Sequence, residues 1–287
     1  MTVALMMGII GTAAPKSTAA NDLNVRVAKL TTTSATIVWD GTGTFRVTCP
    51  SLNLDDNNVN GTEYKLNGLI QGTIYNVYVY PAGSYSFSSI SIKPVPSKPS
   101  KTQFTGYYTS TGMASASCYM PSGVFPDGYQ FKFYTYKGKC KKTITTTSSG
   151  VSNVKLKKGS FYKVRARAFV YINNGKKKKY GKWSGYDYIG IQKKASTYTH
   201  YYSKTKTITL KWKKIKGVAK YKVYTCTTHV NPNRKKVKTL GKNATKITVK
   251  KHGKKYIKRG QLVYVDVVPY TKEGKKLKKS AVFFYGF

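Results

Sequence analysis

The 287-residue chain has few acidic side chains: nine aspartates and glutamates stand against 51 lysines and arginines. Only Glu63 and Glu273 are glutamates. Catalysis by paired carboxylates requires two acids held in one cleft. The neighbouring Asp55 and Asp56 would point apart on a strand, and turn formation is the role that their residue type favours. The sequence therefore argues against an enzyme that works through two carboxylates.

Other patterns of catalytic and metal sites are also missing. The histidines His200, His229 and His252 form no HExxH motif, and we interpret them as exposed loop residues. There is no GxSxG motif and no CxxC pair, which argues against a serine hydrolase and a structural zinc site. Residues 56–61 match the opening of a calcium loop, but Asn67 stands where the loop needs glutamate. We predict a non-enzymatic protein with no cofactor and no metal.

The four cysteines leave the question of disulfides open. Cys118 and Cys140 fall in the same predicted domain and could form a bridge. Cys49 and Cys226 have no cysteine within their own predicted domains. The alternative interpretation is that all four are free thiols, mostly buried.

Long apolar runs are absent after the N-terminus, so no membrane-spanning helix is predicted. Residues 3–10 resemble the apolar region of a secretory signal, and small residues at 18–20 offer a cleavage site before Asn21. A basic stretch before the apolar region is missing, so the true start could lie upstream of Met1; an ordinary buried segment is the alternative. The segment predicts a protein that is secreted or held at the cell surface.

The sequence does contain a pattern that occurs three times. An apolar residue is followed by a glycine three positions later and then by apolar residues at every second position. The copies begin at Leu69, Leu156 and Ile257. Period-two alternation indicates a strand with one buried face, and helical periodicity is not evident between the copies.

Further strands accompany each copy. An upstream strand ends in an aromatic residue, which is Trp39, Tyr119 or Trp212. The final strands are predicted at residues 88–92, 186–191 and 281–285, and the proline-rich residues 93–99 are predicted to be a stiff spacer. The expected fold is all-β, with three tandem antiparallel β-sandwiches after an N-terminal segment. The segment and the three domains are predicted at residues 1–20, 21–95, 101–193 and 194–287.

A tryptophan followed by L-x-x-G-x-x-Y-x-V-x-V resembles the fibronectin type III family of immunoglobulin-like domains. That resemblance implies a tyrosine corner, in which the tyrosine hydroxyl bonds to nearby backbone. Val263 takes the corner position in the third copy, where the corner would be lost or rebuilt from Tyr264 or Tyr256. Tyr119 would replace the core tryptophan in the middle copy. The residues that match structural positions of the family are Trp39, Tyr75, Tyr162 and Trp212.

The lysine-rich residues 211–224 are similar to copies of this domain in secreted bacterial wall-associated proteins. Trp183 and Ser184 also match an aromatic-serine pair that the family often places before its last strand. The resemblance implies adhesion, spacing or accessory binding, and rarely chemistry.

Charge is distributed unevenly along the chain. Residues 21–95 carry five basic and five acidic groups, residues 96–193 carry 19 and 2 (net +17), and residues 194–287 carry 26 and 2 (net +24). A strongly basic surface attracts polyanions. The part that could face a polyanion is therefore the C-terminal two thirds.

Alternation predicts which cations point outward. If Tyr162 and Val164 face the core, the intervening cations of that strand line the opposite face. Lys132 and Tyr134 of the neighbouring strand are expected beside them. Tyr186 and Tyr188 of the last strand are expected to add to the same face. Two further clusters, residues 176–179 and 234–236, are interpreted as hairpin tips. The candidate polyanion-binding residues are Lys132, Lys163, Arg165, Arg167, Lys176, Lys177, Lys178, Lys179, Arg234, Lys235 and Lys236.

Three interpretations of this basic surface remain open. Lysines on strands can simply protect sheet edges from aggregation. They can bind an anionic cell-wall polymer or an acidic glycan, which suits lysine because it acts as a point charge. Nucleic acid is a less favoured partner because no reading motif is present, and other surface proteins are a further partner class. We expect a secreted, non-catalytic adhesion or spacer protein; the alternative is an accessory carbohydrate-directed region of a secreted enzyme whose catalytic part is not in this chain.

Overall fold

The structure is a computed structural model that describes residues 23–108, 111–191, 197–202, 207–227, 234–258, 261, 263–276 and 278–279. In these residues almost all regular structure is antiparallel strand, and the single helical element among them is the short 3-10 turn Pro50–Leu52. No helix in this part of the chain has the length and apolar character needed to cross a membrane. The signal-like residues 1–20 and the predicted strand at 281–285 lie outside the described residues.

The first sandwich packs a three-stranded sheet, β1-β2-β5, against a four-stranded sheet, β4-β3-β6-β7. Its inner faces come from alternating apolar residues, and the ring of Trp39 meets that of Phe45 edge-on at 5.4 Å. Its strands are β1 (Arg26–Leu30), β2 (Ala35–Val38), β3 (Thr44–Cys49), β4 (Leu54–Asn60), β5 (Glu63–Leu66), β6 (Tyr75–Pro81) and β7 (Ser88–Ile92).

The second sandwich repeats this arrangement. One sheet has the order β12-β9-β8 and the other β11-β10-β13-β15, with β14 pairing the far end of β13. Phe131, Phe133 and Val164 are fully buried in its core. Its strands are β8 (Lys101–Tyr108), β9 (Met113–Tyr119), β10 (Gly128–Thr135), β11 (Cys140–Thr146), β12 (Gly150–Lys155), β13 (Ser160–Ile172), β14 (Lys177–Tyr180) and β15 (Asp187–Ile191).

The third sandwich has sheets of order β16-β17-β20 and β19-β18-β23, and a separate hairpin made of β21 and β22. A short strand, β24, runs parallel to β15 of the second sandwich. The strands are β16 (Thr197–Tyr202), β17 (Thr207–Lys211), β18 (Lys220–Cys226), β19 (Lys235–Gly241), β20 (Lys246–Val249), β21 (Lys251–His252), β22 (Lys255–Tyr256), β23 (Tyr264–Tyr270) and β24 (Lys278–Lys279). The predicted all-β class with three antiparallel sandwiches is confirmed.

Internal contacts divide the chain into two compact units rather than three. One contains the residues up to Leu69 and Ile74–Ile92; the other contains Ile70–Thr73 and everything from Lys93 onward. The second unit holds two hydrophobic clusters, one for each of its sandwiches, and Phe161 of the second sandwich belongs to the cluster of the third. The division into three domains stays a prediction.

The proline-rich segment does not behave as a free spacer at its start. Lys93 Nζ forms an ion pair with Asp127 Oδ1 at 2.5 Å. The backbone of Pro96 lies so close to Gly181 that a Cβ there would be 2.2 Å from the Pro96 carbonyl oxygen. Both contacts tie the segment to the second sandwich.

The aromatic position of the middle repeat differs from the expectation. Tyr119 is 46% exposed, whereas Cys118 is 3% exposed and lies in the core. The inward residues of β9 are therefore one position earlier than predicted, because Ala114, Ala116 and Cys118 share one side of the strand. Cys118 thus takes the inward place that Trp39 and Trp212 take in the other sandwiches, where these tryptophans are 2% and 4% exposed.

Tyrosine hydroxyls bond to backbone in the second and third sandwiches. The N–H of Lys157 donates to Tyr162 Oη at 3.1 Å, and this hydroxyl donates to the Lys157 carbonyl at 3.1 Å. In the third sandwich Tyr221 Oη accepts the N–H of Ile215 at 3.3 Å. Tyr256 is 61% exposed and cannot rebuild a buried corner, so that part of the expectation is wrong. Tyr75 is buried in the first sandwich, as the corner position requires.

The aspartate-rich residues 54–60 form strand β4 and not a turn or a calcium loop. Asp55 forms a two-point ion pair with Arg46 of the neighbouring strand, at 2.6 and 2.8 Å. Asp56 Oδ1 accepts the N–H of Asn58. Pairing with β3 overrides the turn preference of these residue types.

All four cysteines are free thiols, and Cys140 is exposed on β11 while the other three are buried. The suggested bridge between Cys118 and Cys140 is therefore not formed. Burial raises the pKa of the Cys118 thiol to about 11, which keeps it protonated and unreactive at neutral pH.

His252 is not an exposed loop residue. Its Nδ1 lies 2.9 Å from Thr225 Oγ1, and Thr225 is fully buried. Burial lowers the pKa of His252, and nearby Lys235 lowers it further. His229 and the side chain of His200 lie outside the described residues.

Candidate functional site

The outer face of β13 in the second sandwich carries alternating cations and aromatic rings. Lys163, Arg165 and Arg167 point outward at every second position while Val164 and Ala166 are buried. Alternate residues of a strand are about 6.8 Å apart. That spacing is wide enough for an aromatic ring to enter between successive side chains.

Three aromatic residues of the following segment fill these gaps. They recur at every third position and interleave with the cations of β13. We call the resulting stack the cation–aromatic ladder; its members in spatial order are Tyr180, Arg167, Trp183, Arg165, Tyr186 and Lys163.

Backbone bonds hold the aromatic segment against β13. The N–H of Gly181 donates to the Ala168 carbonyl at 2.9 Å, and the N–H of Ser184 donates to the Ala166 carbonyl at 2.8 Å. The Ser184 hydroxyl then accepts the N–H of Ala166 at 3.0 Å. Ser184 thereby pairs with both backbone polar groups of Ala166. Because Ser184 is fixed in this way, the neighbouring Trp183 lies over the outer face.

The ladder contacts have the geometry of cation–π interactions. The guanidinium carbon of Arg167 lies 3.8 Å from the Tyr180 ring centre and 4.5 Å from that of Trp183. That of Arg165 lies 4.7 Å from Trp183 and 5.1 Å from Tyr186. Lys163 Nζ completes the stack 4.6 Å from the ring of Tyr186. Each contact of this kind contributes about 0.5–1 kcal/mol at an exposed site.

Hydrogen bonds orient the two arginine side chains of the ladder. Arg165 donates from Nη2 and Nε to Tyr134 Oη at 2.8 and 3.2 Å. Arg167 Nε donates to Gln130 Oε1 at 3.0 Å. Burial lowers the pKa of Arg167, and Arg165 adds to this effect while Tyr180 opposes it. The guanidinium groups are held in place and are partly desolvated.

Trp183 also contacts two neighbouring like charges. Lys132 of β10 stands directly opposite Arg165 in the sheet register. Like charges in this relation destabilise a strand pair. Both cations lie over the Trp183 ring, with Lys132 Nζ 5.3 Å from its centre, so the π face partly compensates their repulsion. Lys132 therefore joins the face on which it was expected.

Both tyrosines predicted from the last strand lie on this face. Tyr186 contacts Tyr134 edge-on at 5.7 Å and belongs to the ladder. Tyr188 stands directly opposite Lys163 in the sheet register, and its ring centre is 6.4 Å from that of Tyr186. It also packs against the hydrophobic cluster of the third sandwich.

The lysines at 176–179 extend along the end of the same strand pair. Lys176 lies in the turn, and Lys177, Lys178 and Lys179 lie on β14, so most of the cluster is strand and not hairpin tip. Lys178 Nζ lies 5.0 Å from the ring of Phe169. All four side chains are exposed.

The cluster at 234–236 belongs to the third sandwich and is separate from the ladder. Lys235 and Lys236 are exposed on β19, not at a hairpin tip. Arg234 forms an ion pair with Asp266 at 2.5 Å and stacks 3.7 Å from the ring centre of Tyr224. Its charge is therefore already matched by an acid, which sets it apart from the lysines beside it.

Acidic groups are scarce around these cations, and most have other partners. Residues 96–287 contain 45 basic groups and four acidic ones. Asp127 pairs with Lys93, Asp266 pairs with Arg234, and Asp187 accepts the N–H of Phe104. The four ion pairs that join described residues include no ladder cation and not Lys132.

The sequence predicted only some members of the cation–aromatic ladder. Alternation predicts the outward direction of the cations, but it does not predict that Tyr180 and Trp183 stack between them. The spacing K-x-R-x-R followed by Y-x-x-W-x-x-Y is the signal that would have predicted it. No group of three or more His, Cys, Asp or Glu side chains comes together among the described residues as a metal site would require.

No protein-family model and no curated protein matches the chain. Among solved structures, the FN1-FN3 domains of chicken CNTN1 are 15% identical over 89% of this chain and 98% of that chain, with a TM-score of 0.32. A segment of two fibronectin type III domains from chicken tenascin is 19% identical over 57% of this chain and 96% of that chain, also with a TM-score of 0.32. The chain's own sheets define its class: tandem β-sandwiches of fibronectin type III-like fold.

Proposed function

We propose that the chain is a non-catalytic adhesion or spacer protein, located outside the cell, whose second and third sandwiches associate with anionic cell-wall or glycan polymers. The observation that carries the proposal is the 45 to 4 ratio of basic to acidic groups in residues 96–287. Such an imbalance leaves a positive field that attracts polyanions over about 8–10 Å at ordinary ionic strength.

Lysine supplies most of this charge, which favours a diffuse partner. An ammonium group is a compact point charge without the fork geometry of a guanidinium. Many weak contacts on two linked sandwiches would act together and raise the overall affinity. Stacking in the ladder leaves the charge of Arg165 and Arg167 in place while it restricts their side-chain freedom, which lowers the entropy cost of binding an anion.

Location outside the cell and the three-domain organisation rest on the sequence. The apolar residues 3–10 support export, and the threefold repeat supports three domains. The absence of a catalytic role is supported by the partners of Asp55, Asp127 and Asp266, each of which serves an ion pair within the fold.

The test is retention of the intact chain on immobilised anionic wall polymer at about 0.05 M and about 0.5 M salt. We expect strong retention at low salt and elution at high salt. The double variant K177Q/K179Q should elute earlier, whereas K29Q/K65Q, which removes the same charge from exposed sites of the first sandwich, should elute close to the original chain. Retention that does not respond to salt, or equal shifts for both variants, would contradict the proposal.

A further inference from the structure

A cleft in the second unit gathers six lysines. It has a volume of about 480 Å³, within the range of ligand pockets. The lysines come from the β10–β11 turn and the start of β11, from the β12–β13 turn, and from the third sandwich. They are Lys137, Lys139, Lys141, Lys157, Lys158 and Lys216.

Among the described residues, the lining of this lysine cleft contains no acid and no arginine. Thr135, Tyr136, Gly159, Ser160 and Tyr162 complete it. Six lysine side chains line one cavity, and ammonium groups that lie within a Debye length of one another repel. A bound anion would relieve that repulsion, whereas no side chain of the lining can.

Two sandwiches build the lysine cleft jointly. The N–H of Lys216 donates to the Gly159 carbonyl at 2.8 Å, and the N–H of Phe161 donates to the Lys216 carbonyl at 3.3 Å. Phe161 is 6% exposed and packs in the core of the third sandwich. These contacts set Lys216 opposite the lysines of the second sandwich.

Gly217 makes the close approach possible. Its φ of +86° is one that residues with a Cβ rarely adopt, and a Cβ there would lie 2.7 Å from ring carbons of Phe161 and Tyr136. This close contact adjoins Lys216 and Tyr136, which both line the lysine cleft, and it fixes their position. Lining residues that are fixed before binding lower its ordering cost.

Two backbone donors around the lysine cleft are already used. The N–H of Lys157 donates to Tyr162 Oη, and the N–H of Gly159 donates to the Ile191 carbonyl. The positively charged donors of the lining are its ammonium groups, and the proposed recognition of an anion rests on them. Point charges of this kind select for charge density rather than for the planar shape of a carboxylate.

We propose that the lysine cleft binds an oligophosphate, meaning a ligand that carries several phosphate groups close together. A terminal phosphate group carries about −1.5 to −2 charges at pH 7, more than a carboxylate. Several lysines can share one such group, and the volume allows more than one group to enter. This inference rests on the proposed polyanion association and assigns to it one site and one ligand chemistry.

The test is calorimetric titration of the intact chain with tripolyphosphate. The double variant K137Q/K158Q should lose affinity about tenfold or more, since it removes one charge-assisted contact from each turn. K216Q should also weaken binding, because the third sandwich supplies that lysine. The matched control K238Q/K246Q removes two charges from exposed lysines of β19 and β20, outside the cleft, and should change affinity less than about twofold.

Citrate and two phosphate polymers serve as comparison ligands that distinguish the chemistry of the bound anion. Citrate at equal concentration should bind much more weakly than tripolyphosphate. Displacement of tripolyphosphate by an oligo(glycerol phosphate) would assign the phosphates to a polyol-phosphate chain, and displacement by inorganic polyphosphate alone would assign them to that polymer. Either result supports the site. Equal binding of citrate would overturn it.

Two outcomes separate this inference from the proposed function. If K137Q/K158Q and K238Q/K246Q weaken tripolyphosphate binding equally, the lysine cleft is overturned and the proposed function stands. The same holds if tripolyphosphate does not bind while salt-sensitive retention on wall polymer persists. If retention on polymer is also absent, both fail. Unchanged thermal unfolding of the variants would show that they remain folded, which is expected because Lys137 and Lys216 are exposed.

Discussion

The first and second sandwiches carry different side chains on corresponding outer faces. In the first, Phe87 packs 5.2 Å from the ring of Tyr78 and 5.3 Å from that of Tyr80, both on β6. In the second, Trp183 packs between Arg165 and Arg167 of the corresponding strand, β13. In each case an aromatic residue that precedes the last strand packs over alternate residues of the strand beside it, β6 or β13.

This difference shows that packing and charge are separable on this fold. The first sandwich, with no net charge over residues 21–95, pairs its cations with acids: Arg26 with Asp40 and Arg46 with Asp55. The second stacks its cations on π faces, which leave the positive charge unneutralised. One framework thus supports either a neutral surface or a basic one.

The largest expected effect comes from removing the central ring of the ladder. Trp183→Ala should destabilise the second sandwich by about 2–4 kcal/mol, because it opens a gap and removes the π face that Lys132 and Arg165 both contact. Phe87→Ala should cost about 1 kcal/mol, since that ring is 50% exposed and its ring contacts are with tyrosines. Amide hydrogen exchange, resolved by sandwich, measures both. Equal costs would show that the ladder adds nothing beyond apolar burial.

Gly217→Ala tests whether the second unit depends on close packing between its sandwiches. We expect a loss of about 2–3 kcal/mol from backbone strain and overlap with Phe161 and Tyr136. Gly138→Ala is the matched control, because Gly138 has a similar φ of +85° with no atom within 4 Å of the added Cβ. Amide exchange should be faster in the second and third sandwiches and unchanged in the first. A cost no greater than that of Gly138→Ala would show that packing at Gly217 is not tight.

Tyr162→Phe probes the tyrosine corner of the second sandwich. The expected loss is about 1–1.5 kcal/mol, because the Lys157 N–H and carbonyl both lose their hydroxyl partner. Tyr221→Phe should cost about 0.5 kcal/mol, since it removes one bond of 3.3 Å. Denaturant unfolding monitored by amide exchange measures the two losses. The reverse ranking would contradict this account of the hydroxyl bonds.

The smallest effect concerns the ion pairs of the first sandwich. Hydrogen bonds from Arg46 lower the pKa of Asp55, so the pair stabilises the fold above the ordinary carboxyl pKa, and this contribution is lost as pH falls through the lowered value. NMR titration should show the pKa of Asp55 rising toward its usual range in Arg46→Gln. An Asp55 pKa that does not respond to this change would show that the ion pair has no influence in solution.

Local patterns predicted the fold more fully than the site. Strand β7 has the predicted bounds, and the final strand of the second sandwich begins one residue later than expected. The errors arose where local preference met tertiary pairing. Asp55 and Asp56 favour turns but are paired with β3, and the inward side of β9 was misjudged by one residue because Tyr119 is the larger apolar group.

Period-two alternation by itself determined that the chain forms half-buried strands and that most of its lysines face water, because side-chain direction along a strand depends only on neighbouring residues. Only the tertiary structure decided which rings enter between the cations of β13 and which lysines share a cleft with Lys216. Those partners are distant in sequence, and their meeting depends on sheet register and on the close packing at Gly217, which no local pattern encodes.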